Sequence, residues 1–232
     1  MNSIKKTARV AGLLYALNGI LAVFSLQYVH HTLMIHGSAA ATANNILASE
    51  VLFRMGIVSE LISATIFIFL GLVLYQLFKG VSKQNALLML TLILVSVPIS
   101  CLNELNRIAA LELLKGANFV PVFDQHHRDA LVMVFLNLHM AGLNLVQIFW
   151  GLWLFPFGVL VFRSGFLPRI LGVLLIIAGF AYVASSLTTL LLPAYENIVF
   201  MFAVLLGGVG EGATMLWLLI KGVKDRPLAE PA

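Results

Sequence analysis

The chain has 232 residues, of which 61% are hydrophobic and only 10% are charged, and its formal net charge is +4. An ordinary soluble domain is close to half apolar and a quarter charged, so this composition excludes a typical soluble domain and indicates a protein that folds in a lipid bilayer. The basic residues stand singly at the ends of apolar runs and form no patch with aromatic residues, so the positive charge does not indicate nucleic-acid binding.

Six apolar segments are long enough to cross a bilayer, which takes about 20 residues of helix. In chain order they are predicted at approximately 8–31, 51–78, 86–111, 130–162, 169–192 and 197–220. The segments between them contain residues typical of turns and helix ends, such as Gly80, Pro121, Gly165 and Pro193. The sequence therefore predicts an all-α fold, a polytopic membrane helical bundle of six transmembrane helices that forms a single domain over residues 1–232.

The positions of lysine and arginine predict the orientation of the spans, because cytoplasmic loops carry an excess of both. With the N-terminus inside, four of the fourteen basic residues fall toward the other side: Arg54, Arg107, Lys115 and Arg128. The other ten fall on the cytoplasmic side, among them Lys5 before the first span and Lys224 and Arg226 after the sixth. We therefore expect a multi-pass protein with both termini in the cytoplasm.

The first and fifth spans share a weak sequence similarity. Arg9, Gly12, Gly19 and Ser25 recur 160 residues later as Arg169, Gly172, Gly179 and Ser185. Each of these spans is followed by one that contains a single glutamate, Glu60 or Glu211. A parallel hairpin repeat of spans one and two in spans five and six would explain the similarity, as in some transporters. Chance matching of residues common in membrane helices would explain it as well.

Ionisable side chains within a spanning segment are costly, so each needs a partner, a water-filled cavity or a function. In the second span, Glu60 shares one face with small and polar residues, and this face is expected to contact other helices. In the third span, Asn103, Glu104 and Arg107 follow an expected kink at Pro98.

Further polar residues occur in three other spans. Asn18 lies in the first span, Asn137 and His139 lie in the fourth, and Glu211 lies among glycines in the sixth. Estimated depths place one group in the outer half of the bundle, namely Glu60, Asn103, Glu104, Arg107, Asn137 and His139. Glu211 and Asn18 are expected nearer the middle or the cytoplasmic half.

These residues have two interpretations. In the first, a polar cavity opens to the outside, Glu60 and His139 exchange protons or bind a ligand, and Arg107 contacts an anion. In the second, Glu60 or Glu104 pairs with Arg107, and His139 only forms a hydrogen bond to a neighbouring helix.

Metal binding is weakly indicated. Two adjacent histidine pairs, His30–His31 and His126–His127, are weak candidates for zinc or copper. Adjacent residues on a helix point about 100° apart, so neither pair chelates one ion well, and solvated loop histidines are the favoured interpretation. Cys101 is the single cysteine, which excludes a cysteine metal cluster. No metalloprotease motif, phosphate loop or nucleophile elbow occurs, and no cofactor is predicted.

Several stretches resemble a family of bacterial six-span membrane proteins known as domain of unknown function 4386. They are the run 9–15, the run 48–56 with Glu60, the pair 138–139, the run 163–174, Gly179 with Tyr182, and Glu211 with the run 217–221. The resemblance covers nearly the whole chain, and the run 163–174 is its most specific part. It implies the family's fold and a bacterial cytoplasmic membrane, and it draws attention to Arg54, Glu60, His139 and Glu211. It implies no reaction.

Three functions follow as hypotheses. The first is binding or transport of a small or lipid-like molecule through a polar pocket in the outer half, with a homodimer expected because six spans are few for a transporter. The second is an intramembrane lipid-modifying enzyme with Glu60 and His139 as acid and base or as metal ligands. The third is a structural membrane subunit whose bundle is packed throughout, with every intramembrane charge paired and no cavity. The lipid bilayer is an expected partner in all three.

Overall fold

The computed structural model describes residues 3–35, 37–116 and 124–223, and nearly all of these are helical, with no β-strand among them. Within these ranges, six stretches are long and apolar enough to cross a membrane. They are Ile4–Leu33, Glu50–Phe78, Lys83–Lys115, Gln125–Ser164, Arg169–Leu191 and Pro193–Lys221. The all-α polytopic fold predicted from the sequence is therefore confirmed. Pro121, Lys224 and Arg226 lie outside the described residues.

The helices follow one another in chain order. They are α1 (Ser3–Val23), α2 (His30–Leu33), α3 (Ala39–Ala48), α4 (Glu50–Phe78), α5 (Lys83–Lys115), α6 (Gln125–Leu152), α7 (Leu154–Ser164), α8 (Arg169–Leu191) and α9 (Glu196–Leu216). A π-helical segment, Phe24–Val29, joins α1 to α2 and is hereafter the π-turn. A second π-helical segment, Trp217–Lys221, follows α9, and a 3-10 turn, Pro193–Tyr195, precedes it.

The third and fourth spans are longer than predicted. α5 has 33 residues and passes through Pro98 while remaining helical, and the fourth span has 40 residues, with Trp153 between α6 and α7. At 1.5 Å per residue, 33 residues cover about 50 Å, which exceeds a hydrocarbon core of about 30 Å. The predicted bounds stopped at charged residues such as Asp129, whereas the helix continues through them because its backbone hydrogen bonds do not require apolar side chains.

Glycine and proline separate the fourth span from the fifth, as predicted. Gly165 has a φ of 68° and ends α7 in the left-handed region, where glycine carries no Cβ penalty. Pro168 then precedes α8 in an extended conformation and cannot continue the preceding helix. The predicted break at these two residues is confirmed.

Large apolar side chains remain exposed along the candidate spans. Ile20 is 66% exposed, Phe180 65% and Leu205 60%. A soluble protein rarely exposes contiguous apolar surface on this scale, whereas hydrocarbon is a suitable environment for it. The exposed side chains therefore agree with the composition in indicating a multi-pass membrane protein.

The described residues divide into two compact units. Unit 1 comprises the described residues of Met1–Leu17, Ile66–Val97 and Asn144–Ala232, and unit 2 comprises Asn18–Thr65 and Pro98–Leu143. The single domain over residues 1–232 and the parallel hairpin repeat both stay predictions.

Unit 2 has its own hydrophobic core. Its buried members are Val29, Leu33, Ile46, Phe53, Ile57, Ala110, Leu111, Leu113, Val132 and Leu136. They come from the π-turn and from α2 to α6, so the short helix α3 and the ends of the long helices are packed around one apolar centre.

Within unit 1, glycines bring helix backbones close together. A Cβ atom built on Gly158 of α7 would lie 2.6 Å from the carbonyl oxygen of Gly172 on α8, and one built on Gly172 would lie 2.5 Å from that of Gly158. A second pair, Gly151 and Gly179, makes the same kind of approach. Small residues are the usual means of packing helices tightly in lipid, because the hydrophobic effect does not favour helix–helix contacts over helix–lipid contacts there.

We expect Gly158→Ala to destabilise the protein, because the added methyl group meets backbone that cannot move independently. Overpacking of this kind costs about 1–3 kcal/mol of the free energy of unfolding. The measurement is thermal unfolding of the purified protein in detergent. Gly208→Ala is the matched control, since a Cβ atom there meets nothing within 4 Å. Equal stability of the two variants would contradict the close packing of α7 on α8.

Candidate functional site

Unit 2 contains a group of buried polar side chains that come from four helical elements. It consists of Ser25, Glu60, Asn103, Glu104, Arg107 and His139, hereafter the Glu104 cluster. Ser25 lies in the π-turn, Glu60 in α4, the next three residues in α5 and His139 in α6. All six are less than 10% exposed. Every member except Ser25 is among the residues that the sequence placed in the outer half of the bundle.

Glu104 is the centre of the cluster. Its Oε1 atom lies 2.8 Å from His139 Nε2, and its Oε2 atom accepts a hydrogen bond of 3.3 Å from Arg107 Nη1. The ionised carboxylate only accepts hydrogen bonds, so the His139 nitrogen that faces it carries a proton and donates. The three-residue spacing of Glu104 and Arg107 places them on one face of α5. The carboxylate is therefore bonded to one group on its own helix and to one on α6.

Arg107 has three further neighbours. Its Nη1 atom donates to Ser25 Oγ at 3.0 Å, and that hydroxyl donates to the carbonyl oxygen of Gly56 at 2.9 Å. Its guanidinium lies 5.0 Å from the ring centroid of Phe53, within cation–π range. A Cβ atom on Gly56 would collide with Arg107 Nη2, so glycine at this position leaves room for the guanidinium. The π-turn supplies Ser25, and π-helical turns often occur at functional sites.

Asn103 holds His139 in place through the backbone. Its Nδ2 atom donates to the carbonyl oxygen of His139 at 2.8 Å. A Cβ atom on Gly142, the next turn of α6, would collide with the Asn103 side chain. Asn103 is therefore a positioning residue that fixes α6 against α5 beside the histidine.

Glu60 is the member of the cluster that has a carboxylate oxygen without a hydrogen-bond donor among the described residues. It is 4% exposed, and its Oε2 atom is buried with no hydrogen-bond partner among the described residues. It lies within electrostatic range of Glu104 and Arg107. An ionised carboxylate in such a place costs several kcal/mol of desolvation, and no hydrogen-bond donor among the described residues offsets this cost at Oε2.

The residues on either side of Glu60 hold α4 against the first span. Ser59 Oγ donates to the carbonyl oxygen of Leu21 at 3.0 Å, and Asn18 Nδ2 donates to Ser63 Oγ at 2.9 Å. Asn18, a predicted site residue, thus bonds the neighbouring helix in unit 2. These hydroxyl and amide groups are already engaged and do not bond Glu60.

Unit 1 contains a half-buried acid, Glu211, with a different environment. Tyr15 donates its hydroxyl to Glu211 Oε2, and Tyr182 is a second side-chain hydrogen-bond partner of the same carboxylate. A Cβ atom on Gly207 would collide with the Tyr182 hydroxyl, so glycine leaves room for this contact. Sequence reasoning identified Glu211 but missed its two tyrosine partners.

Besides Asn18, two predicted site residues lie outside both groups. Arg54 is on the surface, where its Nε atom lies 2.7 Å from Glu50 Oε1, and Lys115 reaches the same oxygen at 3.0 Å. Asn137 is exposed, two residues before His139 on α6. Neither belongs to the Glu104 cluster, and the outward-facing cavity stays a prediction.

The four histidines considered for metal binding form two neighbouring pairs. His30 and His31 are in α2, and His126 and His127 open α6. His127 Nδ1 lies 2.8 Å from Asp124 Oδ2, and the backbone N–H and ring of His127 hold the pKa of Asp124 below its usual range. In the part of the chain that the structure describes, no three His, Cys, Asp or Glu residues are grouped so that they could hold a metal ion.

Comparison with known proteins gives two matches. A family model described as "Domain of unknown function (DUF4386)" matches residues 10–222, which confirms the resemblance noted in the sequence. An uncharacterized protein of Archaeoglobus fulgidus is 36% identical over 89 residues, which are 38% of this chain and 51% of that protein. The chain thus spans about half the length of this curated relative. No solved structure matches.

We expect Arg107→Met to destabilise the protein strongly, because it removes the only cation of the described cluster and leaves Glu104 and Glu60 facing each other. Breaking a buried ion pair in this way costs about 3–5 kcal/mol. Arg54→Met is the matched control, since the Arg54 side chain is 48% exposed and pairs at the surface. Loss of such a pair costs about 0–1 kcal/mol. Thermal unfolding in detergent distinguishes the two, and similar losses would contradict the central position of Arg107.

Proposed function

We propose that this chain binds or transports a small or lipid-like molecule at the Glu104 cluster. The premises are that the chain belongs to the family described as domain of unknown function (DUF4386) and that it is a multi-pass membrane protein. The observation that carries this proposal is the buried Oε2 atom of Glu60, which has no donor among the described residues. Buried polar atoms in native proteins nearly always have hydrogen-bond partners, and an exception indicates a functional group.

The chemistry of the cluster supports a ligand with an N–H or O–H group. Glu60 offers an acceptor, whereas the donors of Arg107 and His139 are directed at Glu104. A ligand that donates to Glu60 would replace the missing partner, and its remaining, apolar part would suit the hydrocarbon surroundings of the helices. Arg107 is engaged by Glu104 and Ser25, so an anion would have to displace existing contacts to reach it.

The two alternatives have less support. An enzyme that uses Glu60 with His139 requires these side chains to act on each other or on one ion, but His139 Nε2 is bonded to Glu104. A purely structural subunit requires every intramembrane charge to be paired, and Glu60 does not meet this requirement within the described residues. Binding or transport is therefore the function that we propose.

The proposal includes the location and the orientation of the protein. Lys79 and Lys83 flank the connection between the second and third spans, and Arg163 and Arg169 flank that between the fourth and fifth. Their excess supports an orientation with both termini in the cytoplasm and the Glu104 cluster in the outer half, and we propose that the membrane is a bacterial cytoplasmic membrane. Because six spans are few for a transporter, we also propose that two copies form a homodimer.

We expect Glu60→Gln to lose most of its bound ligand. The protein would be purified from cell membranes, and the small molecules extracted from it would be compared by mass spectrometry. Loss of one charge-assisted hydrogen bond weakens binding by about 1.5–3 kcal/mol, which is roughly tenfold or more. Glu50→Gln is the control, because it removes a carboxylate that is paired at the surface. Identical extracts from the wild type and both variants would contradict the proposed site.

The orientation is tested by labelling single cysteines in intact cells. In a Cys101→Ser background, Ala40→Cys should react with a membrane-impermeant maleimide, since residue 40 is exposed between the first and second spans. Gln84→Cys, exposed in the first turn of the third span, should react only after the membrane is permeabilised. The reverse pattern would place both termini outside.

A further inference from the structure

The Glu104 cluster has a charge imbalance. It contains two carboxylates, Glu60 and Glu104, and one guanidinium, Arg107, so its formal charge is −1 when His139 is neutral. All of these groups are less than 10% exposed, and water screens their charge poorly at such positions. One additional positive charge would bring the described cluster to neutrality.

A proton on Glu60 satisfies the geometry better than one on His139. Protonation of His139 would also balance the charge, but it would leave Glu60 Oε2 as a buried anionic oxygen without a donor. Protonation of Glu60 removes the negative charge at the atom where nothing compensates it. Glu104, by contrast, already accepts hydrogen bonds from Arg107 and His139 at both of its oxygens.

A metal ion fits this position less well than a proton does. Common metal ions require four or more ligands, and the described residues include no group of three His, Cys, Asp or Glu side chains. The nearby hydroxyls of Ser59 and Ser63 donate to backbone carbonyls of the first span. A single unpartnered oxygen is sufficient for a proton.

We propose that Glu60 is the binding site of an exchangeable proton, so that the Glu104 cluster changes between a charge of −1 and a charge of zero. The inference goes beyond the proposed function, because the proton would bind whether or not the cluster also binds a second molecule. Among the described residues, the charged groups in electrostatic contact with Glu60 are Glu104 and Arg107. The Cys101 thiol interacts electrostatically with both Glu60 and Glu104. His139 is connected to them through Glu104.

Infrared difference spectroscopy of the purified protein tests the proposal. A protonated carboxyl group has a C=O stretch that is separate from the amide bands, and this band should appear as the pH is lowered and disappear as it is raised. It should shift in D2O, be absent from Glu60→Gln and return at a changed frequency in Glu60→Asp. Glu211→Gln is the control, because it removes an intramembrane acid outside the Glu104 cluster and should leave the Glu60 band in place.

Glu104→Gln gives a second, quantitative readout. Removal of the neighbouring negative charge, together with release of Arg107, should make Glu60 bind its proton about tenfold more weakly, which moves the midpoint of the band down by about one pH unit. A midpoint equal to that of the wild type would overturn the electrostatic coupling on which the proposal rests.

Three other results would overturn the proposal. They are a wild-type protein with no pH-dependent carboxyl band, a band that persists in Glu60→Gln, and a Glu60 band that neither responds to pH nor shifts in D2O. None of them contradicts ligand binding at the cluster, because the extraction experiment measures that separately. Conversely, identical extracts would reject the ligand and leave the proton site standing.

Discussion

A carboxylate inside a bilayer must have positive charge or hydrogen-bond donors within reach, because hydrocarbon supplies neither. Glu104 meets this requirement through Arg107 on its own helix and through His139 on α6. The contact with His139 fixes how α5 and α6 are rotated about their axes, and the bond from Asn103 to the His139 carbonyl group holds that rotation from the backbone side. Because Arg107 also bonds Ser25, the first span depends on the same negative charge.

Glu60 and Glu211, two of the acids that the sequence singled out, have different environments. Glu211 is bonded by two tyrosine hydroxyls, and its contacts within unit 1 are those of a group that stabilises packing. Glu60 has charged neighbours in unit 2 but no donor for its Oε2 atom. Acidic residues of the same type in similarly apolar helices therefore differ in the donors that reach them: tyrosine hydroxyls bond Glu211, whereas no described donor reaches Glu60 Oε2.

The sequence predicted the number and type of the spans because the lengths of the apolar runs determine both. It also identified the costly residues, since charge within such a run is visible without coordinates. It did not predict their partners. Successive residues on a helix point about 100° apart, so a partner can be identified only when the relative rotation of the two helices is known, and neither helix sequence specifies that rotation. His139 was considered with Glu60 but bonds Glu104, and Tyr15 bonds Glu211 from 196 positions away. Asn137 has the same polarity as Asn103 but is exposed on α6.

The π-turn determines more than the position of Ser25. Its hydrogen bonds reach one residue further along the chain than those of an α-helix, so the segment accommodates an extra residue. Side chains beyond it are displaced by about 100° from the register that an uninterrupted α-helix would give them. Leu33, which lies beyond the π-turn, is buried in the apolar core of unit 2, and so is Val29, the last residue of the turn. The same short stretch of the first span thus directs the Ser25 hydroxyl at the Arg107 guanidinium and aliphatic side chains at the core.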